Sequence, residues 1–194
     1  MAGILLTDIV MGLSSAIDLV SPLMADHHKR VAYIAYNISS EMGLPRNDRR
    51  NILMAGLLHD CGAIQDEEKL NAFRFDFGET MEMRLEHGIK GWRILSRIDD
   101  LKHAAEIIRY HHLYWNETGK LEDVGADIPL GSYILHLADR VDVLTDRTEE
   151  VLQQRRSIRE IVRNGSGTMF MPDVTDAFLR LSDREYFWFD LISP

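Results

Sequence analysis

Apolar residues recur at helical spacing along nearly the whole of this 194-residue chain, and such a pattern predicts helices that pack against one another. One run, Ile52 to Leu58, is apolar on most of its sides, so we expect it in the middle of a bundle. The run ends in His59 and Asp60. No pair of segments shows a convincing period of two, so we predict an all-α bundle with a central buried helix that carries this His-Asp dyad.

A buried carboxylate beside a buried imidazole needs partners, because an unpaired buried charge costs several kcal/mol, roughly, after relaxation. Further histidine and aspartate residues lie on separate predicted helices. Together they offer five imidazoles and two carboxylates, which suit iron, manganese or zinc better than calcium. The spacing alone does not bring them together in space. The candidate ligands are His27, His59, Asp60, His87, His111, His112 and Asp139.

The other histidines have simpler interpretations. A lone histidine on an apolar helix face is usually a core residue, and we assign that role to His103 and His136. We expect His28 to be solvated or to support a neighbouring ligand. Cys61 is interpreted as a small buried residue rather than a nucleophile.

Composition limits the classes of function. The formal net charge of −9 argues against a nucleic-acid polymer as partner, although a small phosphorylated ligand needs only a local site. A single cysteine excludes an internal disulfide and makes a cytoplasmic location the default expectation. No apolar run reaches the length of a membrane span.

The whole chain, 1–194, is expected to form a single domain with its core at about 22–181. Predicted helices at 1–21 and 183–194 would be appendages. The aromatic stripe Phe187-Trp188-Phe189 is interpreted as core, or as an interface with a second copy or a downstream domain. Because the chain ends in an apolar segment, we also consider that it is a fragment of a longer protein.

Six segments together resemble the HD domain superfamily and, within it, the HD-GYP branch. They follow the family's order over roughly residues 22–181. The resemblance implies an all-helical, metal-dependent phosphodiesterase of the type that opens cyclic di-GMP, a bacterial second messenger. The segments are HHKRVAYIA, LLHDCG, EHGIKGWRIL, IIRYHH, IPLGSYILHLADRVDVLTD and GTMFMPDVTDAFLRL.

The resemblance assigns roles to the candidate ligands. His59 and Asp60 match the catalytic dyad, and Asp60 is expected to bridge two metals. The other five match the remaining ligand positions of the family, so all seven positions are filled. The implied cofactors are two divalent transition metals, iron or manganese first, with zinc or nickel as alternatives. A water shared by the two ions would then attack the phosphorus of a phosphoester.

Several positions depart from the family pattern. Ala63 stands where the family has a lysine that contacts substrate phosphate, and the segment 116–120 lacks the GYP tripeptide. Leu23 occupies the position of a glutamate that holds a third metal in some members, so we expect two ions. The missing cation is expected from a nearby residue. The candidates are Lys90, Arg109 and Lys120.

Two classes of function remain open. The filled ligand positions favour a phosphohydrolase or phosphodiesterase acting on a cyclic dinucleotide such as cyclic di-GMP, or on another nucleotide. The lost lysine and loop favour a catalytically degenerate HD-type signalling or ligand-binding module. We prefer the enzyme, because a protein without activity has little need for so many buried polar groups.

Overall fold

The computed structural model describes residues 6–19, 25–63, 80–120 and 128–193. Within these ranges the chain forms nine α-helices, with two short 3-10 helices at Asp99–Leu101 and Trp115–Lys120 and no named β-strand. The all-α prediction is therefore confirmed. The helices are α1 (Leu6–Asp18), α2 (His27–Glu41), α3 (Arg46–Leu58), α4 (Met81–Leu95), α5 (Lys102–Arg109), α6 (Leu130–Leu144), α7 (Val151–Asn164), α8 (Pro172–Leu181) and α9 (Glu185–Ile192).

Local sequence sets several helix ends. The Thr80 side chain accepts a hydrogen bond from the backbone N–H of Met83 and so caps α4. Gly43, with a φ of 71°, adopts the left-handed conformation that follows many helix ends, just after α2. Helix α3 begins at Arg46, directly after Pro45.

The core is built around α6, α2 and α3. Every residue of α6 from Gly131 to Asp142 is buried, so α6 is the most enclosed helix described. In α3, burial begins at Ile52 and continues into the dyad. A Cβ on Gly56 would come within 2.6 Å of the Ala32 Cα atom, so α2 and α3 approach each other closely. This contact brings the start of α2 next to the end of α3.

The C-terminal aromatic residues are mostly core. Phe187 and Trp188 are fully buried, and their rings lie 5.2 Å apart between centroids. Phe189 is 51% exposed. None of the helices in the described ranges is long and apolar enough to cross a membrane.

Candidate metal centre

The structure brings all seven candidate ligands into one buried cluster. His27 is the first residue of α2, and His59 and Asp60 follow α3 directly. Both members of the His111–His112 pair follow the end of α5. The remaining two come from the middle of α4 and α6, namely His87 and Asp139.

One group of ligand atoms is formed by His27, His59 and Asp139, all buried and all within 4.8 Å of one another. The two imidazole Nε2 atoms are 3.2 Å apart. Asp139 Oδ1 lies 3.5 Å from His27 Nε2 and 3.9 Å from His59 Nε2. We call these three residues the first half of the cluster.

A second group joins Asp60 to three imidazoles, again within 4.8 Å of one another. The Nε2 atoms of His87 and His111 are 3.2 Å apart. The rings of His111 and His112 lie 4.1 Å apart between centroids. We call His87, His111 and His112 the second half of the cluster.

Asp60 connects the two halves because its two oxygens face different histidines. Oδ2 lies 3.2 Å from His59 Nε2 and 3.8 Å from His27 Nε2. Oδ1 lies 3.4 Å from His87 Nε2 and 3.8 Å from His111 Nε2. A carboxylate placed in this way can serve one cation with each oxygen.

Three of the imidazoles are oriented through their other nitrogen. His27 Nδ1 is 2.7 Å from Asp142 Oδ2, His59 Nδ1 donates to the Gly56 carbonyl over 2.9 Å, and His111 Nδ1 donates to the Ile108 carbonyl over 2.6 Å. In each case Nε2 is directed towards the cluster. Metal-binding histidines are commonly fixed in this manner.

The turn after the dyad also sets the distance to α4. Gly62 is buried, and a Cβ there would lie 2.1 Å from the carbonyl oxygen of His87 and 2.4 Å from the Gly91 nitrogen. Only a residue without a side chain allows this approach. The dyad and His87 are therefore held together by direct backbone packing.

Buried charges of opposite sign dominate the first half. Burial disfavours the imidazolium of His59, but the carboxylates of Asp60 and Asp139 outweigh it and raise its pKa to about 9. Burial likewise opposes ionisation of Asp60 and Asp139, yet nearby cationic groups hold the pKa of both carboxyls below the ordinary value. For Asp139 the strongest of these is Arg140, whose Nη2 lies 2.6 Å from Oδ2.

In the second half, burial disfavours the charged form of His111 and His112. Burial lowers the pKa of His111 to about 4 and lowers that of His112 well below its ordinary value. Both ring nitrogens of His112 and the Oδ1 atom of Asp60 are buried without a hydrogen-bond partner. Buried polar atoms are normally paired. A divalent transition metal would satisfy these donors, so the residues present fit the implied cofactor.

The predicted phosphate-binding cations lie in different environments. Lys90 is half-buried and forms an ion pair with Glu86 over 3.1 Å. The Arg109 guanidinium lies 4.4 Å from the centroid of the Trp92 ring. The side chain of Lys120 lies outside the described residues, as does Leu23. Their contact with a substrate stays a prediction.

Sequence reasoning missed several supporting residues. The Asp142 carboxylate accepts a 2.6 Å hydrogen bond from Arg30 Nε in addition to its contact with His27. Arg84, one helical turn before His87, is buried and forms an ion pair with Glu117 in the altered loop. The only signal for Arg30 and Arg84 was helical spacing from a ligand, because each lies three residues from a ligand histidine.

Other roles were predicted for the three remaining histidines, and one of these predictions is wrong. His103 is exposed, so its assignment to the core is wrong. His136 is buried as expected, but neither ring nitrogen has a hydrogen-bond partner. His28 is fully buried, which excludes the solvated alternative, while its support of a neighbouring ligand stays a prediction. The prediction for Cys61 fits the structure better, since burial raises the pKa of its thiol to about 12 and so disfavours a reactive thiolate.

Comparison with known proteins agrees with this geometry. The family model of the HD domain matches residues 24–144, which is more than half of the chain. The chain therefore belongs to the HD domain family. The match includes every candidate ligand of both halves.

Two relatives of known name are similar in sequence. A 3'3'-cGAMP-specific phosphodiesterase 1 of Vibrio cholerae is 29% identical over 186 residues, covering 92% of this chain and 42% of the relative. A cyclic di-GMP phosphodiesterase of Thermotoga maritima is 31% identical over 161 residues, covering 80% of this chain and 44% of the relative. The chain thus spans less than half the length of either protein.

A solved structure shares the fold. The crystal structure of a cyclic GMP-AMP specific phosphodiesterase of V. cholerae superposes with a TM-score of 0.73 at 18% sequence identity. The superposition covers 97% of this chain and 51% of that one. At this identity the likeness establishes the fold alone.

Proposed function

We propose that this chain is a metal-dependent phosphodiesterase domain that hydrolyses a cyclic dinucleotide. The observation that carries the proposal is the placement of the Asp60 carboxylate between the two halves. Its two oxygens face two separate sets of imidazoles. A carboxylate shared between two ligand groups suits a dinuclear hydrolytic site, in which two cations lie close together. The bacterial relatives that act on cyclic dinucleotides support the substrate class.

The ligand groups define which residues would hold each ion. His27, His59 and Asp139 would hold the first, the three imidazoles of the second half would hold the second, and Asp60 would contact both. Two divalent transition metals bound there, iron or manganese by donor type, would supply an activated water and offset charge on the phosphoryl oxygens.

The protein contributes orientation and a dry environment. Hydrogen bonds at Nδ1 fix the imidazoles of His27, His59 and His111 before any ion binds. The Arg140 guanidinium donates a hydrogen bond to the Oδ2 atom of Asp139. The Oδ1 atom is left facing the ligand histidines. Such preorganisation reduces the rearrangement that the reaction requires.

Substrate phosphate needs a cation that Ala63 cannot supply. We propose that Lys90, Arg109 or Lys120 contributes it, and Arg84 joins them because it is buried one turn from His87. Replacing the contributing residue by Ala or Met should raise KM for the dinucleotide while the metal content stays unchanged. If all four variants keep the parental KM, this part of the proposal is wrong.

A cytoplasmic location and a second copy or further domain as partner also stay predictions.

The decisive experiment combines metal analysis with turnover. Protein purified without chelator should contain about two transition-metal ions per chain, measured by elemental mass spectrometry. After anaerobic loading with Fe²⁺ or Mn²⁺ it should linearise cyclic di-GMP or 3'3'-cGAMP, followed by chromatography of the products. The double variant His59→Ala/Asp60→Ala should be inert. Tight binding of a dinucleotide without any hydrolysis would instead identify a signalling or ligand-binding module.

A further inference from the structure

His28 follows the ligand His27 in α2 and belongs to neither half of the cluster. Its side chain is fully buried. Its Nδ1 atom forms a hydrogen bond with Oδ1 of Asp18, the last residue of α1. The Asp18 side chain is also buried. The carboxylate therefore fixes the orientation of the imidazole, just as Asp142 does for His27.

The other nitrogen of His28 has no assigned role. Nε2 is buried and has no hydrogen-bond partner. His28 nevertheless offers a ligand atom within 4.8 Å of ligand atoms of His59 and Asp60. Its ring lies 4.9 Å from that of His59 between centroids. An imidazole that donates from Nδ1 carries its lone pair on Nε2, so Nε2 is the atom of His28 that can act as a ligand.

We propose that His28 is an additional ligand of the metal ion held by the first half of the cluster, and that Asp18 is its positioning residue. The inference rests on the dinuclear site of the proposed function. A carboxylate that accepts the Nδ1 hydrogen of a ligand histidine strengthens the donor at Nε2. The pair Asp18–His28 has this arrangement.

The geometry favours a shared ion over a third one. His59 donates from Nδ1 to the Gly56 carbonyl, so only its Nε2 can bind a metal. One nitrogen lone pair serves one ion. His59 belongs both to the first half and to the group that it forms with His28 and Asp60. The two groups would therefore bind the same ion. The donors would be His27, His28, His59, Asp60 and Asp139.

This donor set has a consequence for metal preference. With His28 added, the proposed site would have five protein donors, one more than the four of an ordinary zinc site. They suit an ion that accepts a higher coordination number, such as manganese or iron. His28 would then contribute to selection between metals as well as to affinity.

A matched control is available in the same core. His136 is also fully buried, both of its nitrogens lack hydrogen-bond partners, and it belongs to no ligand group among the described residues. The variants His28→Leu and His136→Leu make the same chemical change at comparable burial. A difference between them therefore reports ligation rather than the loss of a buried imidazole.

The test is a Mn²⁺ titration of the metal-free chain against a chelator of known affinity. His28→Leu should lower the affinity for one of the two Mn²⁺ ions by at least about 100-fold. This exceeds the loss usual when a residue that only hydrogen-bonds to a ligand is replaced. His136→Leu should retain both affinities. If His28→Leu does not fold, Asp18→Asn replaces it and should weaken the same ion about tenfold. The Co²⁺-loaded proteins give a second readout, because the visible spectrum of His28→Leu should change and that of His136→Leu should not.

The outcomes separate the two proposals. If the parent binds no Mn²⁺, the proposed function fails. If the parent binds two ions and His28→Leu binds both with parental affinity and an unchanged Co²⁺ spectrum, the role of His28 is wrong while the proposed function stands. Parental Mn²⁺ affinity of Asp18→Asn, where it replaces His28→Leu, would equally overturn the inference.

Discussion

The two halves of the cluster are held by different kinds of interaction. In the first half, charged side chains of α6 and α2 fix the ligands: Asp142 pairs with His27 and Arg30, and Arg140 pairs with Asp139. In the second half, among the described residues, His111 is oriented by a hydrogen bond from its Nδ1 atom to the Ile108 carbonyl. The first half therefore combines salt bridges with one main-chain contact, from His59 Nδ1 to the Gly56 carbonyl, whereas in the second half the main chain orients His111.

The halves also differ in protonation, because the carboxylates of Asp60 and Asp139 outweigh burial at His59, whereas burial dominates at His111. The first half carries a histidine with a pKa raised to about 9, whereas the second half carries one with a pKa lowered to about 4. Near neutral pH without metal, His59 is therefore a cation that shields two carboxylates, and His111 is neutral with a free lone pair. An ion entering the first half must displace a proton, and one entering the second half need not.

The largest expected effect comes from the residue that joins the halves. Asp60→Asn should abolish binding of both ions, because neither half keeps a carboxylate oxygen shared with the other. Turnover should fall by more than about a thousandfold, equivalent to roughly 4 kcal/mol of activation free energy. Elemental analysis after dialysis checks the metal content. Retention of one ion at parental affinity would mean that the halves act independently.

A smaller effect should distinguish the halves. Asp142→Asn removes the carboxylate that orients His27 but touches no residue of the second half. The affinity of the first ion should fall about 10- to 100-fold, as for other outer partners of ligand histidines. A two-site Mn²⁺ titration measures this, and the second ion serves as the internal control. Equal weakening of both ions would show that the two halves are coupled rather than separate.

The smallest effect is on stability without metal. The pKa of His59 is raised, so its contribution is complete below its ordinary value of about 6.5 and is lost as pH rises towards about 9. The pKa of His111 is lowered, so stability declines as pH falls from about 6.5 towards about 4, because only the unfolded chain takes up the proton there. We expect the melting temperature to be highest near neutral pH, with a decline of several degrees on each side.

Scanning calorimetry in chelator from acid to mildly alkaline pH would follow both limbs. His136, whose pKa burial lowers to about 3, adds to the acid limb. The variant His136→Leu should therefore flatten the acid limb and leave the alkaline limb unchanged. A melting temperature that rises steadily with pH would contradict the assignment of His59.

The sequence was sufficient for the helices, and it named the residues that the structure brings together. Helical periodicity predicted the all-α fold, whereas the resemblance to the HD domain superfamily, rather than the spacing, predicted that ligand-type residues on separate helices converge. It was insufficient for the supporting contacts, because these join positions far apart in the chain: Asp142 and His27 are separated by 115 residues. Periodicity also failed to separate the exposed His103 from the buried His136, since local spacing does not reveal which helix face is covered.

Gly62, which has no side chain, allows the closest possible approach between the turn after the dyad and α4. Backbone packs on backbone between the dyad turn and α4, so the separation between Asp60 and His87 cannot shorten further and lengthens with any added atom. Because both residues belong to the proposed site of the second ion, their separation in that site depends on a glycine that would itself bind no metal. In an engineered enzyme, residue 62 would therefore be the position at which to tune that distance without changing a ligand.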